Sequence, residues 1–325
     1  MRDRSPDWGA TVDALKAAES VTIACHVNPD GDALGSALAL TLGLDQLGKV
    51  VHVTWGQTPP RVPPQYGFLP GADRFEAPAE VPIAPVFVAL DCGDGDRLGA
   101  LEAKASTAET FINIDHHRGN PDFGSLNVVV VDASSTAEIV ASLLRDLGVR
   151  IDRDIAIALW TGIVTDTGRF QYSSSSPETL RLAAELVELD VPVARIAQEV
   201  FESSPFDYLK LVGRVLERAV LVEQARFVYT WVTLKDLNET GVARDEMDPL
   251  IDLVRSTRAA TVAALFKEQD DGKWRVSLRS RGPNVGEIAR VYGGGGHDLA
   301  AGLTVEDRDA AIEDLIERLS AGGSK

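Results

Sequence analysis

Short apolar runs alternate with helical patterns in the first half of this chain, and this alternation restricts the folds open to it. A run that is apolar at every position is typical of a strand buried on both faces. Such runs occur at Val21–Ala24, Val50–Trp55, Val86–Leu90, Phe111–Ile114 and Val128–Val131. Helical periodicity lies between them, as in Ala33–Leu47, which a glycine then stops. The pattern predicts an α/β fold with a mainly parallel sheet flanked by helices.

The pattern changes toward the C-terminus. With 325 residues the chain exceeds the usual size of one domain. Helical patterns dominate up to Phe206–Val220, after which strand candidates return at Phe227–Val232, Ala259–Lys267 and Trp274–Arg281. We predict a first domain over residues 1–190, a helical linker over 191–222 and a smaller α/β domain over 223–325.

The composition limits the partners that the chain can bind. Its formal net charge is -17 and its sequence pI is about 4.7, which argues against a protein that coats long duplex nucleic acid, because that binding depends on clustered lysines and arginines. A polyanionic ligand must therefore be small, or must be attracted locally by metal ions or a basic pocket.

The sequence also indicates the compartment. The first ten residues contain charges and no apolar run of signal-peptide length, and no segment approaches the roughly 20 apolar residues that span a bilayer. We therefore expect a cytoplasmic protein without membrane contact. Cys25 and Cys92 end apolar stretches and have no second thiol nearby in sequence, so we predict that both are buried and free.

Acidic and imidazole side chains gather where the apolar strands end. In an open parallel sheet, ligands bind beyond the carboxyl ends of the strands, so these side chains should converge. Asp166 ends a helix and could face the same crevice. The candidates are His26, Asp30 and Asp32 after the first strand, Asp91 after the third, and Asp115, His116 and His117 after the fourth.

Each of these features also fits a structural role when taken alone. An Asp-Gly-Asp sequence is usually a solvated turn, and Asp91 or Asp166 could cap a neighbouring element. Their joint appearance at successive strand ends favours a metal site, because oxygen ligands with some imidazole suit Mn²⁺ or Mg²⁺. Clustered carboxylates repel one another, and two divalent ions balance four negative charges.

A basic segment in the second half contrasts with the acidic chain. Lys273, Arg275, Arg279, Arg281 and Arg290 lie close in sequence to the run Gly293–Gly296. Consecutive glycines let backbone amides approach a phosphate, Arg279 could bind that phosphate with two hydrogen bonds, and His297 could contact it. The alternatives are a flexible glycine linker and a solvated strand face.

These motifs resemble the DHH phosphoesterase superfamily, named for a triplet that is Asp115-His116-His117 here. The segment from His26 to Ser36 is similar to its first motif, Asp91 to its second, and Thr165–Gly168 to its fourth. Ser277–Ser280 and the Gly293–His297 segment followed by Ala300-Ala301-Gly302 are similar to the substrate-binding domain associated with DHH domains. Length and domain content resemble the NrnA-like branch. That branch contains nano-RNases, 3'-phosphoadenosine 5'-phosphate phosphatases and cyclic-dinucleotide phosphodiesterases.

The resemblance implies a hydrolase with two divalent ions, Mn²⁺ in preference to Mg²⁺. By analogy, His26, Asp30 and Asp91 hold one ion, and Asp32, Asp91, His116 and Asp166 hold the other. Asp115 orients an imidazole, and His117 contacts the phosphate or protonates the leaving oxygen. The implied substrate-binding residues are Arg279, Ser280, Gly294, Gly295, Gly296 and His297.

The implied substrates are short single-stranded oligoribonucleotides, pApA, cyclic di-AMP-type dinucleotides and 3'-phosphoadenosine 5'-phosphate. An inorganic pyrophosphatase or exopolyphosphatase of the same superfamily is the main alternative. A nucleotide sensor without turnover is less compatible with the filled ligand positions. Dimerisation through the first domain fits the family, whereas the sequence leaves the oligomeric state open.

Overall fold

A computed structural model describes residues 5–247 and 249–322 of the chain, without the side chains of Asp245, His297, Ala321 and Gly322. The chain forms two compact units, one ending at Ser203 and the other beginning at Ser204. This division lies within the stretch 191–222 that we predict as a linker, and the outer bounds of the domains stay a prediction. Within the described ranges, none of the helices has the length and apolar character that crossing a bilayer requires.

The N-terminal unit is built on a six-stranded sheet with the order β3-β2-β1-β4-β5-β6. Every neighbouring pair in it is parallel, which confirms the predicted parallel sheet. Its strands are β1 (Ser20–Cys25), β2 (Val50–Trp55), β3 (Phe75–Glu76), β4 (Val86–Leu90), β5 (Thr110–Asp115) and β6 (Leu126–Val129). Its helices are α1 (Trp8–Ala17), α2 (Gly31–Gln46), α3 (Glu102–Ala105), α4 (Thr136–Leu147), α5 (Arg153–Asp166), α6 (Pro177–Val187) and α7 (Val193–Phe201).

Both faces of this sheet are buried, as the continuous apolar runs predict. In β4, Val88 belongs to the large core that also contains residues of α2, α4 and α5. Its neighbour Phe87 points to a smaller apolar cluster on the opposite face. A strand covered on both sides has no position where a polar side chain is solvated, and this accounts for the absence of alternation in its sequence.

The strand order places a crevice at the centre of the sheet. The chain leaves β1 for β2 on one side, and β4 then pairs with β1 on the other side. At such a reversal, the connections after neighbouring strands diverge and leave an opening at their carboxyl ends. The segments that follow β1, β4 and β5 therefore border one opening.

Glycines allow α2 and α5 to pack closely beside this opening. A Cβ on Gly35 of α2 would lie 2.4 Å from the carbonyl oxygen of Ala158, and one on Gly162 of α5 would lie 2.8 Å from Asp32 Oδ1. Neither distance is possible for a real side chain. The close approach brings the first turn of α2 next to the last turns of α5, which ends at Asp166.

The C-terminal unit has a mixed six-stranded sheet with the order β11-β12-β10-β9-β8-β7. Apolar residues of β9 alternate between two cores, with Phe266 in one and Leu265 in the other. Its strands are β7 (Val220–Val222), β8 (Phe227–Val232), β9 (Val262–Glu268), β10 (Trp274–Ser280), β11 (Gly295–His297) and β12 (Ala300–Val305). Its helices are α8 (Phe206–Glu217), α9 (Leu234–Thr240), α10 (Leu250–Val254), α11 (Val285–Val291) and α12 (Arg308–Gly322).

Candidate metal centre

The loop after β1 carries the first group of candidate ligands. Asp30 caps α2, because its Oδ1 accepts hydrogen bonds from the amides of Asp32 and Ala33, each at 3.0 Å. The other carboxylate oxygen of Asp30 lies 3.8 Å from Nε2 of His26. The capping contact explains why α2 begins at Gly31, two residues before the first residue of the predicted helix.

Asp91 lies at the centre of the candidate site. It follows β4 directly and has a φ of 60°, in the left-handed region, which aspartate tolerates better than most residues. Its side chain is almost completely buried. One carboxylate oxygen, Oδ2, lies 3.5 Å from His26 Nε2, and the other, Oδ1, lies 3.5 Å from His116 Nε2. The two oxygens thus lie next to two different imidazoles.

A second group lies around His116. Its Nε2 is 3.5 Å from Asp166 Oδ2 and 4.0 Å from Asp32 Oδ2. The structure thus brings together the metal-ligand candidates from four separate segments of the chain. Ligand atoms fall within 4.8 Å of one another in three overlapping sets: His26, Asp30 and Asp91; Asp32, His116 and Asp166; Asp91, His116 and His117.

These spacings suit cations better than direct hydrogen bonds. Separations of 3.5 to 4.0 Å between nitrogen and oxygen are too long for good hydrogen bonds. Two ligands that each lie about 2.1 Å from one ion are about 3 to 4 Å apart. The carboxylate and imidazole donors also match the preferences of Mn²⁺, and of Mg²⁺ for the carboxylates. The residues present therefore fit divalent ions, whose identity and number stay a prediction.

The electrostatics of the cluster also favour added positive charge. Burial, followed by the nearby charge of Asp91, raises the pKa of the Asp32 carboxyl well above its usual range. Burial opposes protonation of His26, but the carboxylates of Asp30 and Asp91 outweigh it and raise the pKa of this imidazole to about 10. A cation that binds here must displace that proton, so metal affinity should rise with pH.

Asp115 and His117 form a hydrogen-bonded pair beside these groups. Asp115 Oδ1 lies 2.7 Å from His117 Nδ1, and Asp115 Oδ2 accepts a hydrogen bond of 2.6 Å from Asn120 Nδ2. Burial opposes ionisation of Asp115, but the hydrogen bond from His117 outweighs it and lowers the pKa of the carboxyl to about 2. The resemblance to the DHH superfamily implies that Asp115 orients an imidazole, and the imidazole that it contacts here is His117.

Two residues that sequence reasoning missed also touch the site. The Thr136 hydroxyl donates to Asp91 Oδ1 at 3.0 Å, and Asn120 holds Asp115 as described. Thr136 follows Ser134-Ser135, a helix-capping sequence whose presence marks the start of α4. Nothing in the sequence indicates that this helix begins at the carboxylates, because the contact joins segments 45 residues apart.

The predicted phosphate-binding residues lie in or next to β10 and β11, toward the β11 edge of the C-terminal sheet. Gly295 and Gly296 belong to β11, which pairs with β12, so this part of the glycine run is an edge strand. Across the sheet, Ala300 pairs with both His297 and Arg279. The side chain of His297 lies outside the part that the structure describes.

The other predicted residues of this group have identified contacts. Arg279 is partly exposed, and its Nη1 donates to the carbonyl oxygen of Leu278 at 3.0 Å. Ser280 is buried, and its Oγ accepts a hydrogen bond from the amide of Gly282 at 3.0 Å. A Cβ on Gly294 would lie 2.2 Å from the carbonyl oxygen of Gly302, so only glycine fits there. Their role in substrate binding stays a prediction.

Both cysteines are buried and free, as predicted. Burial raises the pKa of the Cys25 and Cys92 thiols well above the usual range. Each is adjacent in sequence to a candidate ligand, Cys25 to His26 and Cys92 to Asp91. Neutral, buried thiols at these positions serve as small apolar side chains behind the metal centre.

Family models and related proteins match this arrangement. Residues 20–163 match the DHH family, N-terminal domain, and residues 224–321 match the DHHA1 domain. The fold is similar to the crystal structure of an exopolyphosphatase-related protein from Bacteroides fragilis, with a TM-score of 0.91 over 99% of this chain and 98% of that chain. The two sequences are 24% identical. At this identity the likeness shows the fold alone.

Two relatives are described as "Bifunctional oligoribonuclease and PAP phosphatase NrnA". The protein from Thermus thermophilus is 37% identical over 310 residues, which cover 94% of this chain and 91% of the relative. The protein from Bacillus subtilis is 27% identical over 302 residues, covering 92% and 93% respectively. With both domain models matched and these relatives aligned over nearly their full length, the chain belongs to the NrnA group of the DHH family.

Proposed function

We propose that the protein is a metal-dependent phosphoesterase that hydrolyses very short oligoribonucleotides, pApA or cyclic di-AMP-type dinucleotides to mononucleotides, and also 3'-phosphoadenosine 5'-phosphate to AMP. The observation that carries this proposal is the position of Asp91 between two groups of candidate ligands, in a chain that belongs to the NrnA group. A carboxylate that faces both groups can bridge two ions.

The proposed ligand sets follow the geometry of the cluster. His26, Asp30 and Asp91 would hold one ion, and Asp32, His116 and Asp166 would hold the other. Asp91, whose Oδ1 lies 3.5 Å from His116 Nε2, would contribute to the second ion as well. When bound, such ions polarise phosphoryl oxygens and lower the pKa of a water molecule. Mn²⁺ is our preferred cofactor, with Mg²⁺ as the alternative, because imidazole ligands favour the softer ion.

His117 and Asp115 supply the remaining chemistry of the hydrolysis. Burial opposes protonation of His117, but the hydrogen bond that it donates to Asp115 outweighs it and raises the pKa of the imidazole to about 9. A protonated His117 can donate a hydrogen bond to a phosphoryl oxygen, or a proton to the departing ester oxygen as water adds to phosphorus. Water gives a hydroxyl group to phosphorus and its other proton passes to solvent, the phosphorus–oxygen ester bond breaks, and the leaving group departs as an alcohol that carries the proton from His117.

The C-terminal unit is proposed to contribute substrate-binding residues. Arg279 can bind a terminal phosphate with two hydrogen bonds, while Gly294–Gly296 let the backbone approach it, and Ser280 and His297 complete the set. The net charge of -17 opposes binding of long polyanions. Short substrates gain the local contacts without that repulsion.

A substrate panel tests the proposal. Initial rates with Mn²⁺ and with Mg²⁺ are measured on pApA, 5'-phosphorylated di- to pentanucleotides, cyclic di-AMP, 3'-phosphoadenosine 5'-phosphate, pyrophosphate and polyphosphate. We expect the highest kcat/KM on the short nucleotides. Dominant hydrolysis of pyrophosphate or polyphosphate would overturn the proposed substrate class, and tight nucleotide binding without turnover of any compound would indicate a sensor.

Cytoplasmic location and homodimerisation through the N-terminal unit are further parts of this proposal. The composition supports the first, since a chain with these charges and no long apolar segment suits an aqueous compartment. Sedimentation equilibrium on the full chain tests the second, and a monomer at micromolar concentration would contradict it.

A further inference from the structure

The N-terminus of α4 holds Asp32, one of the candidate ligands. The amides of Thr136 and Ala137 donate to the two carboxylate oxygens of Asp32, at 2.7 and 2.9 Å. Ser36, one turn further along α2, adds its hydroxyl at 3.2 Å. The first amides of a helix have no partner within the helix, and they stabilise a carboxylate through both hydrogen bonds and the helix dipole.

Thr136, whose amide contacts Asp32, also contacts Asp91. The Thr136 hydroxyl donates to Asp91 Oδ1 at 3.0 Å, and Thr136 is completely buried. This is the oxygen that faces His116, while Oδ2 faces His26. A rotation of the carboxylate about its Cβ–Cγ bond would move both oxygens out of these positions and would break the bond to Thr136.

A buried polar network fixes the start of α4 in turn. Glu138 Oε2 accepts hydrogen bonds from the Ser134 amide at 3.0 Å, the Ser134 hydroxyl at 2.6 Å and the Thr179 hydroxyl of α6 at 2.9 Å. The Ser135 side chain caps α4 by accepting a hydrogen bond from the Glu138 amide at 3.2 Å. Hydrogen bonds of the residues before and after Thr136 therefore fix the segment that carries it.

We propose that Thr136 is a positioning residue of the metal centre, whose hydroxyl sets the orientation in which Asp91 faces both groups of ligands. This inference rests on the proposed bimetal function. Thr136 is completely buried and its backbone segment is fixed by the hydrogen bonds of Ser134 and Ser135, so its hydroxyl stays directed at Asp91 Oδ1. Without it, Asp91 would gain rotational freedom, and an ion held by Asp32, His116 and Asp166 would lose Asp91 as a fixed ligand.

Metal binding to matched variants tests this inference on the full chain. Thr136→Val removes the hydroxyl and keeps the shape and the backbone amide, whereas Thr136→Ser keeps the hydroxyl. Thr41→Val is the control, because Thr41 is equally buried and its hydroxyl donates only to a carbonyl oxygen of its own helix, that of Ala37 at 2.8 Å. Calorimetry gives the number of Mn²⁺ ions and their affinities, and electron paramagnetic resonance reports coupling between two ions.

We expect Thr136→Val to bind one Mn²⁺ about 10 to 100-fold more weakly and to lose the coupled signal at low Mn²⁺. Its kcat should return toward the wild-type value as Mn²⁺ is raised. Thr136→Ser and Thr41→Val should resemble the wild type in both measurements. If Thr136→Val does not fold, Thr136→Ala removes the same hydroxyl and replaces it in the comparison.

The outcomes separate this inference from the proposed function. A wild-type chain that binds no Mn²⁺ would contradict the proposed metal centre itself. A wild type that binds two ions, together with a Thr136→Val variant of equal affinities and equal coupling, overturns the role of Thr136 alone. A Thr41→Val variant as weak as Thr136→Val also overturns it, because any buried hydroxyl would then have the same effect.

Discussion

His117 Nδ1 and Asp115 Oδ1 lie 2.7 Å apart, and Asp115 has no exposed surface. The contact places a proton on Nδ1 and fixes the plane of the imidazole ring. Because Asn120 Nδ2 donates to the other oxygen of Asp115, the carboxylate cannot rotate away from His117 without losing two hydrogen bonds.

The first prediction removes the charge of this carboxylate. In Asp115→Asn, the new NH₂ group would lie next to the N–H group of either His117 Nδ1 or Asn120 Nδ2. Two donors cannot bond to each other, so the variant loses one of the two hydrogen bonds. We expect kcat on pApA at saturating Mn²⁺ to fall by about 10 to 100-fold. Asp122→Asn is the control, since Asp122 is exposed and its amide, not its carboxylate, contacts Asn120. Equal kcat in wild type and Asp115→Asn would remove Asp115 from the mechanism.

The second prediction concerns Asp91 and is tested by measuring both thermal stability and the rate of hydrolysis. Excess Mn²⁺ at 100 times its Kd should stabilise the wild type by about 2.7 kcal/mol and raise Tm by about 5 to 10 °C. Asp91→Ala should lose both this shift and Mn²⁺-dependent hydrolysis. Asp96→Ala, at an exposed position of the following turn, should keep both. A normal Mn²⁺ shift in Asp91→Ala would disprove the bridging assignment.

The third prediction compares two helical glycines. A Cβ on Gly162 would lie 2.6 Å from the Ala137 Cβ and 2.8 Å from Asp32 Oδ1, whereas a Cβ on Gly213 of α8 would have no atom within 4 Å. Gly162→Ala should destabilise the chain by about 1 to 3 kcal/mol and weaken Mn²⁺ binding. Gly213→Ala should stabilise it by about 0.5 to 1 kcal/mol. Chemical denaturation of both variants checks the signs, and a stabilised Gly162→Ala would contradict the close packing of α2 on α5.

Much of the N-terminal fold could be predicted because its strands are buried on both faces. A fully apolar run such as Val86–Leu90 is suited only to a strand whose two faces are both buried. The two-residue strand β3 and the three-residue strands β7 and β11 lie toward or at sheet edges, and their few residues form no pattern that differs from a loop. The helix predicted over Phe206–Val220 ends at Glu217 for a related reason, since Val220 begins β7.

The site was predictable only where topology forces convergence. Residues after β1, β4 and β5 meet because neighbouring parallel strands end at one edge. The contact of Thr136 with Asp91 depends instead on where α4 starts relative to the sheet. That position results from packing in the whole core, and no local pattern in the sequence encodes it.

The fourth prediction addresses the phosphate-binding role of Arg279. Loss of a charge-assisted bidentate contact should raise KM for pApA by about 10 to 100-fold in Arg279→Ala, with a smaller effect on kcat. Arg279→Lys should rescue only part of the loss, because an ammonium group lacks the planar fork. Arg275→Ala, on the same strand and exposed, is the matched control. An equal rise of KM in both alanine variants would indicate general charge attraction in place of a specific contact.

The last prediction concerns the pH dependence of stability in the C-terminal unit. Arg218 Nη1 and Nη2 donate to the two oxygens of buried Asp236, at 2.6 and 2.8 Å. Burial opposes ionisation, but these hydrogen bonds and those from Thr233 outweigh it and lower the pKa of Asp236 to about 2. The value in an unfolded chain is about 3.9. The pair therefore stabilises the fold fully above pH of about 4, and this stabilisation is lost as the pH falls toward 2.

Asp236→Asn tests this sign. At pH 7 the variant should be about 2 to 3 kcal/mol less stable than the wild type, because it removes the charge whose interactions lower the pKa of Asp236 to about 2. The difference in urea midpoint should shrink between pH 4 and pH 3, because in this range Asp236 of the unfolded wild-type chain takes up a proton while the folded carboxylate stays ionised. Asp252→Asn, at a more exposed pair with Arg255, should change little at any pH. A difference that stays constant from pH 7 to pH 3 would show that Asp236 acts through its shape and its capping hydrogen bonds, independently of its charge.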